Sequence, residues 1–432
     1  MDARAETVFT YGAPALKFGP GAADEVGHDV RQLAAGVSDP RVLVVTDPTI
    51  RAAGHADAVA DRVREAGADA VVLDAVHVEP TDASIAEAVA FGREHGPWDV
   101  VVAVGGGSVI DTAKAVNLLT TNPGDLMDYV NAPVGGARAP EHPLKPLLAI
   151  PTTTGTGSES TTICVLDVLS LEVKTGISHA RLRPTMAVVD PRLTLSQPAA
   201  VTAAAGMDIL CHALESYTAT PYDAGPRKQP QERVPYCGAN PIADMWAERS
   251  LSLLAGAFRT AVRDGADEAA REQMALAATF AGLGFGNAGV HIPHACAYPI
   301  AGRVRSYRPE GYPDPAGTGE PMVPHGMAVA LTAPAAFAFT FDSDPERHLH
   351  AARLLAPATA YDDGPDLLPK VLRDLMRDIG LPSGLAAVGY TADDVDALVE
   401  GALKQQRLLA TAPRPVAAED LAGILTRSLE LW

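Results

Sequence analysis

Between residues 41 and 190, short β-branched runs alternate with amphipathic stretches of helical period, as βαβ units do when they build a parallel sheet. RVLVVTD (41–47) reads as a buried strand and ADAVVLDAV (68–76) as a second. DASIAEAVAFGREHG (82–96) has the period of a helix, with Asp82 as its cap. WDVVVAVGGGS (98–108) then reads as strand and glycine turn, IDTAKAVNLLTT as a helix, and PLLAIPTTTGTGSE (146–159) as a further strand and turn. After DPRLTLSQP (190–198) the β-rich runs thin out, and Ala/Leu-rich patterns such as SLSLLAGAFRTAVRD and REQMALAATFAGLG predict helices. The pattern predicts an α/β domain over 1–192 and an all-α domain over 193–432, interrupted by long Pro/Gly-rich loops at 221–241 and 308–324.

A chain of 432 residues exceeds what one core usually organises, which agrees with two domains and favours a cleft between them. The formal charge of −19, from 53 acids and 34 bases, repels phosphate backbones and anionic lipid, so neither nucleic acid nor a membrane is an expected partner. The four cysteines (Cys164, Cys211, Cys237, Cys296) form no CxxC pair, which argues against a disulfide framework and a thiolate zinc site and points to free thiols in a reducing compartment. With no signal-like apolar stretch at the start and no run of about 18 apolar residues later, a cytoplasmic location is expected.

Candidate chemistry gathers at four places. Gly105-Gly106-Gly107-Ser108 lies between a strand and a helix, where glycine lets a pyrophosphate approach and the helix N-terminus presents unpaired N–H groups. The spacing is not GxGxxG, and a merely tight turn is the alternative. PTTTGTGSE (151–159) adds hydroxyls and glycines at the end of another strand, where parallel sheets place ligands, so the α/β domain reads as a Rossmann-like nucleotide-binding domain. Asp47, after an early strand, suits either a ribose hydroxyl or a helix cap. In the helical half Asp208 and His212 sit four apart on one helix face, and with His294 and His325 they make a nitrogen/oxygen set suited to Fe(II) or Zn(II) rather than magnesium or calcium.

In order and wording, GGGS, PTTTGTGSE, GMDILCHALESY and PHG resemble the iron-containing alcohol dehydrogenase family, from about residue 10 to the end. The resemblance implies that family's fold, shared with dehydroquinate synthase, and Asp208, His212, His294 and His325 as metal ligands in the helical domain. It also implies that Asp47, Gly106, Gly107, Ser108, Asp111, Thr152, Thr153, Thr156 and Lys174 contact a nicotinamide cofactor, with turns and metal facing one another across the cleft. Asp47 would repel a 2′-phosphate, which favours NAD(H). Where many members have a second histidine in HAxxHP, this chain has Tyr298, as a proton donor or as packing against the nicotinamide. VEPTDASI, CGANPIADMWA, FAGLGFGNAGVHIPHACAYPIAG and PERHLHAARLL resemble the branch that exchanges hydride between a hydroxy acid such as 4-hydroxybutyrate and an oxo acid such as 2-oxoglutarate. The alternatives are an NAD(P)-dependent alcohol dehydrogenase that releases its cofactor each cycle, a non-redox enzyme on the same scaffold, or a silent metal-binding protein. By analogy with the family a homo-oligomer is expected. Carboxylate substrates need a cationic anchor, for which Arg227, Lys228, Arg233, Arg303, Arg305 and Arg308 are the candidates.

Overall fold

β-branched residues become strands where alternate side chains can be buried on both faces of a sheet. In the computed structural model, which describes residues 5–171, 173–313, 319–358 and 360–432, the strands are β1 (Ala15–Phe18), β2 (Arg41–Val45), β3 (Asp69–Leu73), β4 (Val100–Gly105), β5 (Leu147–Pro151), β6 (Ile163–Val168), β7 (Val173–Ser178) and β8 (Met186–Val189). Six of them form one sheet in the order β1-β8-β5-β4-β2-β3, every neighbouring pair parallel, and β6 and β7 form a separate antiparallel hairpin.

Period two sorts the core. Val42, Val44, Val100, Val102, Val104, Leu148 and Ile150 pack on one face against helices α1 (Val26–Leu33) and α3 (His55–Glu65). Leu43, Val45, Val101, Ala103 and Ala149 pack on the other against α4 (Asp82–His95) and α5 (Gly107–Thr121). Burial on both faces explains the unbroken apolar runs. The short helices α2 (Pro48–Ala52) and α6 (Leu126–Tyr129) complete this unit, which spans Ala13–Leu195. The cap of α4 is Thr81, not Asp82: Thr81 and Ser84 form a reciprocal capping box, and Asp82 is the first helical residue.

The second unit comprises Ser196–Trp432 together with the residues up to Gly12, a division slightly later than the boundary at 192 and one that puts the start of the chain with the helices. It is built from α7 (Ala199–Thr218), α8 (Pro241–Arg263), α9 (Glu268–Ala288), α10 (Ile292–Gly302), α11 (His325–Thr340), α12 (Pro345–Leu355), α13 (Leu367–Asp378), α14 (Val395–Leu403), α15 (Gln406–Leu409) and α16 (Ala418–Arg427). Helices α7, α9, α10 and α11 are buried almost all round, which is why their sequences show little polar face. Among the described residues no single helix is long and apolar enough to cross a membrane, although α9 and α10, bent by 104°, pass that test as a pair.

Candidate metal and cofactor site

The strand order reverses between β2 and β4: β3 lies on one side of β2, and the chain then crosses to β4 on the other. Open α/β sheets bind ligands outside the carboxyl ends of the strands at such a switch point. Asp47 and the glycine turn sit there, after β2 and β4. Gly105 closes β4, Gly106 is the N-cap of α5, and Gly107 is that helix's first residue. The PTTTGTG turn leaves β5 beside it, with Thr152 N–H donating to the Gly105 carbonyl at 3.1 Å. A Cβ on Gly106 would lie 3.2 Å from Thr153 Oγ1, and one on Gly107 would lie 2.8 Å from both Thr156 Oγ1 and Cγ2. Close approach of the two turns therefore leaves no room for a side chain at Gly107 without a shift of Thr156, and makes Gly106 tight against Thr153. Thr152 Oγ1 is buried without a hydrogen-bond partner, a polar atom that a bound ligand would satisfy.

Three residues implied as cofactor contacts are engaged within the protein. Asp47 Oδ1 caps α2 by accepting from Thr49 N at 2.8 Å and Ile50 N at 2.9 Å. Asp111 is buried, accepting from Val165 N at 2.9 Å and from Lys114 Nζ at 3.3 Å, so it ties α5 to β6. Lys174 is clasped by Glu79 and by Asp167, the latter at 2.9 Å. Burial disfavours its charge, but the two carboxylates outweigh this and raise its pKa. Glu79, part of VEPTDASI but given no role there, brings Lys174 near the glycine turn: its N–H donates to Ser108 Oγ at 3.2 Å, and its backbone has φ of 58°, unusual for a residue with a side chain. Glu159 ends the second turn fully inside the protein, and burial pushes its carboxyl up to about 7.

In the helical unit, α7 carries Asp208, His212 and Glu215 on one face. His294 is the third residue of α10, in its first turn, and His325 is the first residue of α11. Asp208 Oδ1 stands 3.7 Å from His212 Nε2, 3.5 Å from His294 Nε2 and 3.9 Å from His325 Nε2. Single ligand atoms of Asp208, His294 and His325 all lie within 4.8 Å of one another; His212 falls outside that mutual set, though it shares the carboxylate. Asp208 Oδ1 and His294 Nε2 are buried without hydrogen-bond partners. Leaving such atoms unpaired costs about 1–3 kcal/mol each, and a divalent cation between them removes that penalty. The donor set and the orphaned atoms both fit Fe(II) or Zn(II).

Electrostatics follow from burial. The carboxyl of Asp208 would be raised by burial, but His212, His325 and His294 hold it well below the usual range. Burial lowers His212 to about 3. His294 behaves oppositely: burial disfavours its charge, yet Glu215 and Asp208 raise it to about 9. Glu215, not singled out from sequence, accepts from His294 Nδ1 at 2.6 Å and from His291 N at 2.5 Å with no exposed surface of its own. Its spacing, three residues after His212 and seven after Asp208, was the available signal. His212 is stacked on Phe285 of α9, ring centres 3.8 Å apart, and Tyr298 stands edge-on to His325 at 6.0 Å.

Close helix packing holds this geometry. A Cβ on Gly326 would collide with the Ala204 carbonyl oxygen and come within 2.7 Å of Asp208 Cβ. Gly326→Ala is expected to push α11 off α7, costing about 1–3 kcal/mol of stability and drawing His325 away from Asp208. Melting temperature and bound metal per chain read the two effects; unchanged metal content at a lowered melting temperature confines the effect to packing.

The side chains of three of the six proposed anchors are occupied elsewhere. Arg233 Nη1 donates to Glu6 at 2.9 Å, Arg305 pairs with Asp394, and Arg308 donates to the Glu320 and Pro313 carbonyls, each at 2.8 Å. Lys228 is held through its backbone N–H by Glu6 at 2.9 Å, while Arg227 and Arg303 are exposed. The loop at 308–324 includes residues outside those described.

Residues 13–191 match the family described as iron-containing alcohol dehydrogenase, and residues 232–305 and 317–429 match that family's C-terminal region. The chain belongs to the iron-containing alcohol dehydrogenase family. Among curated relatives of this family member, hydroxyacid-oxoacid transhydrogenase, mitochondrial, of Xenopus laevis is 43% identical over 430 residues, covering 98% of this chain and 91% of the relative. The Homo sapiens protein of the same name is 43% identical over 423 residues, covering 96% and 89%. Among solved structures, 1,3-propanediol oxidoreductase is 31% identical with a TM-score of 0.83 over 98% of this chain and 100% of its own. Alcohol dehydrogenase from Oenococcus oeni is 28% identical with a TM-score of 0.83 over the same shares, 98% and 100%. This family member is thus an oxidoreductase acting on CH–OH groups, with the fold expected from its motifs. The relatives are named as mitochondrial proteins, which overturns the expected cytoplasmic location. The error has a physical source: free thiols report a reducing environment and do not distinguish between compartments.

Proposed function

We propose that this enzyme transfers hydride through NAD(H) between a small hydroxy acid of the 4-hydroxybutyrate kind and an oxo acid of the 2-oxoglutarate kind. The observation that carries this reading is near full-length likeness to proteins named hydroxyacid-oxoacid transhydrogenase. In this reading Asp208, His212, His294 and His325 hold a divalent cation, Fe(II) or Zn(II). That cation supplies Lewis acidity toward a substrate oxygen. NAD(H) supplies the hydride acceptor and donor.

The protein's own groups bind and orient. Gly106 and Gly107 admit the pyrophosphate to the backbone, and the N-terminus of α5, with Ser108, turns its N–H groups toward it. Thr152, Thr153 and Thr156 offer hydroxyls from the neighbouring turn, and Asp47, Asp111 and Lys174 complete the cofactor side, Asp111 and Lys174 by holding α5 and the β6–β7 hairpin in place. On the metal side Glu215 fixes the tautomer of His294 by accepting its Nδ1 proton, which leaves Nε2 for the cation. Phe285 holds the ring of His212, and Tyr298 serves beside His325 as proton relay or packing wall. A homo-oligomer with no nucleic-acid or membrane partner belongs to the same reading, the latter two supported by the net charge of −19.

The test is exchange without added cofactor. Metal-loaded enzyme given 4-hydroxybutyrate deuterated at the carbinol carbon and 2-oxoglutarate is expected to yield deuterated 2-hydroxyglutarate and the semialdehyde in equal amounts. Strict dependence on added NAD identifies instead an alcohol dehydrogenase that releases its cofactor each cycle.

A further inference from the structure

At the opposite edge of the parallel sheet, where β5 and β8 begin, the chain builds a second, positively charged cavity. It has a volume of about 200 Å³ and is lined by Lys114, Lys145, Arg181 and Arg183 together with Asn117, Thr185 and a few apolar residues, and among the described residues no carboxylate lines it. Lys145 lies just ahead of β5 (Leu147–Pro151), and Arg181 and Arg183 lie just ahead of β8 (Met186–Val189). The glycine and threonine turns leave the other ends of β4 and β5. One five-residue strand, roughly 16 Å at 3.3 Å per residue, separates the two places along the sheet.

The cavity is held in shape by its own bonds. Asn117 on α5 clamps Lys145 through both backbone groups, donating to its carbonyl at 2.8 Å and accepting from its N–H at 2.9 Å. Arg181 Nη1 donates to the Pro140 and His142 carbonyls at 2.8 and 3.1 Å, which fixes its guanidinium fork. Lys114 is already neutralised: its buried Nζ donates to Ile163 O, Thr161 Oγ1 and Asp111 at 2.7, 3.0 and 3.3 Å. Among the described residues no carboxylate forms an ion pair with Lys145 or Arg181. In a chain with net charge −19, Lys145 and Arg181, beside a concavity with no acid among the described residues, concentrate positive potential where the overall field is negative.

We infer that this cavity is a binding site for a small dianion, a dicarboxylate or inorganic phosphate, separate from the glycine and threonine turns at the other end of the sheet. The guanidinium of Arg181 matches the paired oxygens of either group, and the ammonium of Lys145 adds a point charge. The volume is below the roughly 300–1,000 Å³ of pockets for drug-sized ligands, so it suits an anion of a few atoms and is too small for a dinucleotide. The inference goes beyond the proposed reaction and stands or falls independently of it.

Calorimetric titration of the full-length holoenzyme, saturated with NAD, tests it, using disodium succinate in one arm and sodium phosphate in another. A sodium chloride control at matched ionic strength accompanies both, because exposed charge effects are screened by salt. At least one of the two anions is expected to bind at one equivalent per chain, and the arm that binds more tightly identifies the source. Lys145→Glu is expected to weaken that binding by at least about tenfold, equivalent to about 1.4 kcal/mol, and Asp208→Asn is expected to leave it in place. Lys145→Gln, with melting temperature compared in anion-free buffer, serves if the charge reversal impairs folding. Heat no greater than the chloride control overturns the proposal. So does binding that survives both Lys145 variants, or binding that disappears in Asp208→Asn, since the anion then sits elsewhere.

Discussion

Asp208→Asn is expected to leave the enzyme folded, nearly free of metal and slower by on the order of 10³ in kcat/KM, the equivalent of about 4 kcal/mol of Lewis-acid stabilisation. Asp208 is the hub of the cluster: its Oδ1 is the atom from which all three imidazole Nε2 atoms lie 3.5–3.9 Å away. Among the described residues it is also the one carboxylate grouped with those imidazole Nε2 atoms, since Glu215 bonds the Nδ1 side of His294. Asparagine preserves the shape but presents a neutral amide, so three neutral imidazoles must hold a dication with no anionic ligand beside them. Elemental analysis together with steady-state rates checks this. Metal at one equivalent per chain in the variant removes Asp208 from the ligand set.

Glu215→Gln has the second largest expected effect, and it acts through His294. The carboxylate receives two donors, His294 Nδ1–H and His291 N–H, while fully buried. A glutamine of the same size offers a single acceptor oxygen, so one donor loses its partner and an amide N–H faces it, at about 1–3 kcal/mol. His294 also loses the negative charge that makes it a stronger donor to the cation. Metal affinity is expected to fall about 10–100-fold, measured by competition with a chelator of known affinity, together with a lower melting temperature. A lowered melting temperature with unchanged metal affinity would make Glu215 a purely structural brace.

Much of the architecture is local information. Strands β2, β4 and β5 are apolar runs because both their faces are covered, and the glycine turn shows its place between a strand and a helix in the chain itself. Asp208 and His212 are legible as a pair because helical spacing alone puts them on one face. The residues implied by family resemblance were named without any knowledge of where they lie. Elements with no strong period were missed: β1 is a four-residue edge strand that is partly exposed, and β6 and β7 stabilise each other across a hairpin carrying Asp167 and Lys174.

What the sequence by itself determined is therefore the two-part organisation, the parallel sheet, the two candidate ligand turns and the supply of side chains suited to hold a metal. Each rests on spacing within one element or on motifs read in order. Only the tertiary structure decided which groups meet. It placed Glu215 against His294, 79 residues away, gave Asp47 and Thr81 to helix caps and turned Lys174 to Glu79 and Asp167. It paired Arg233 and Arg305 with acids and collected Lys145, Arg181 and Arg183 around a cavity. Hydrophobic period reports which face of a helix or strand is buried, but the partner of a polar side chain depends on the packing of elements distant in sequence, and one residue's spacing carries no record of that.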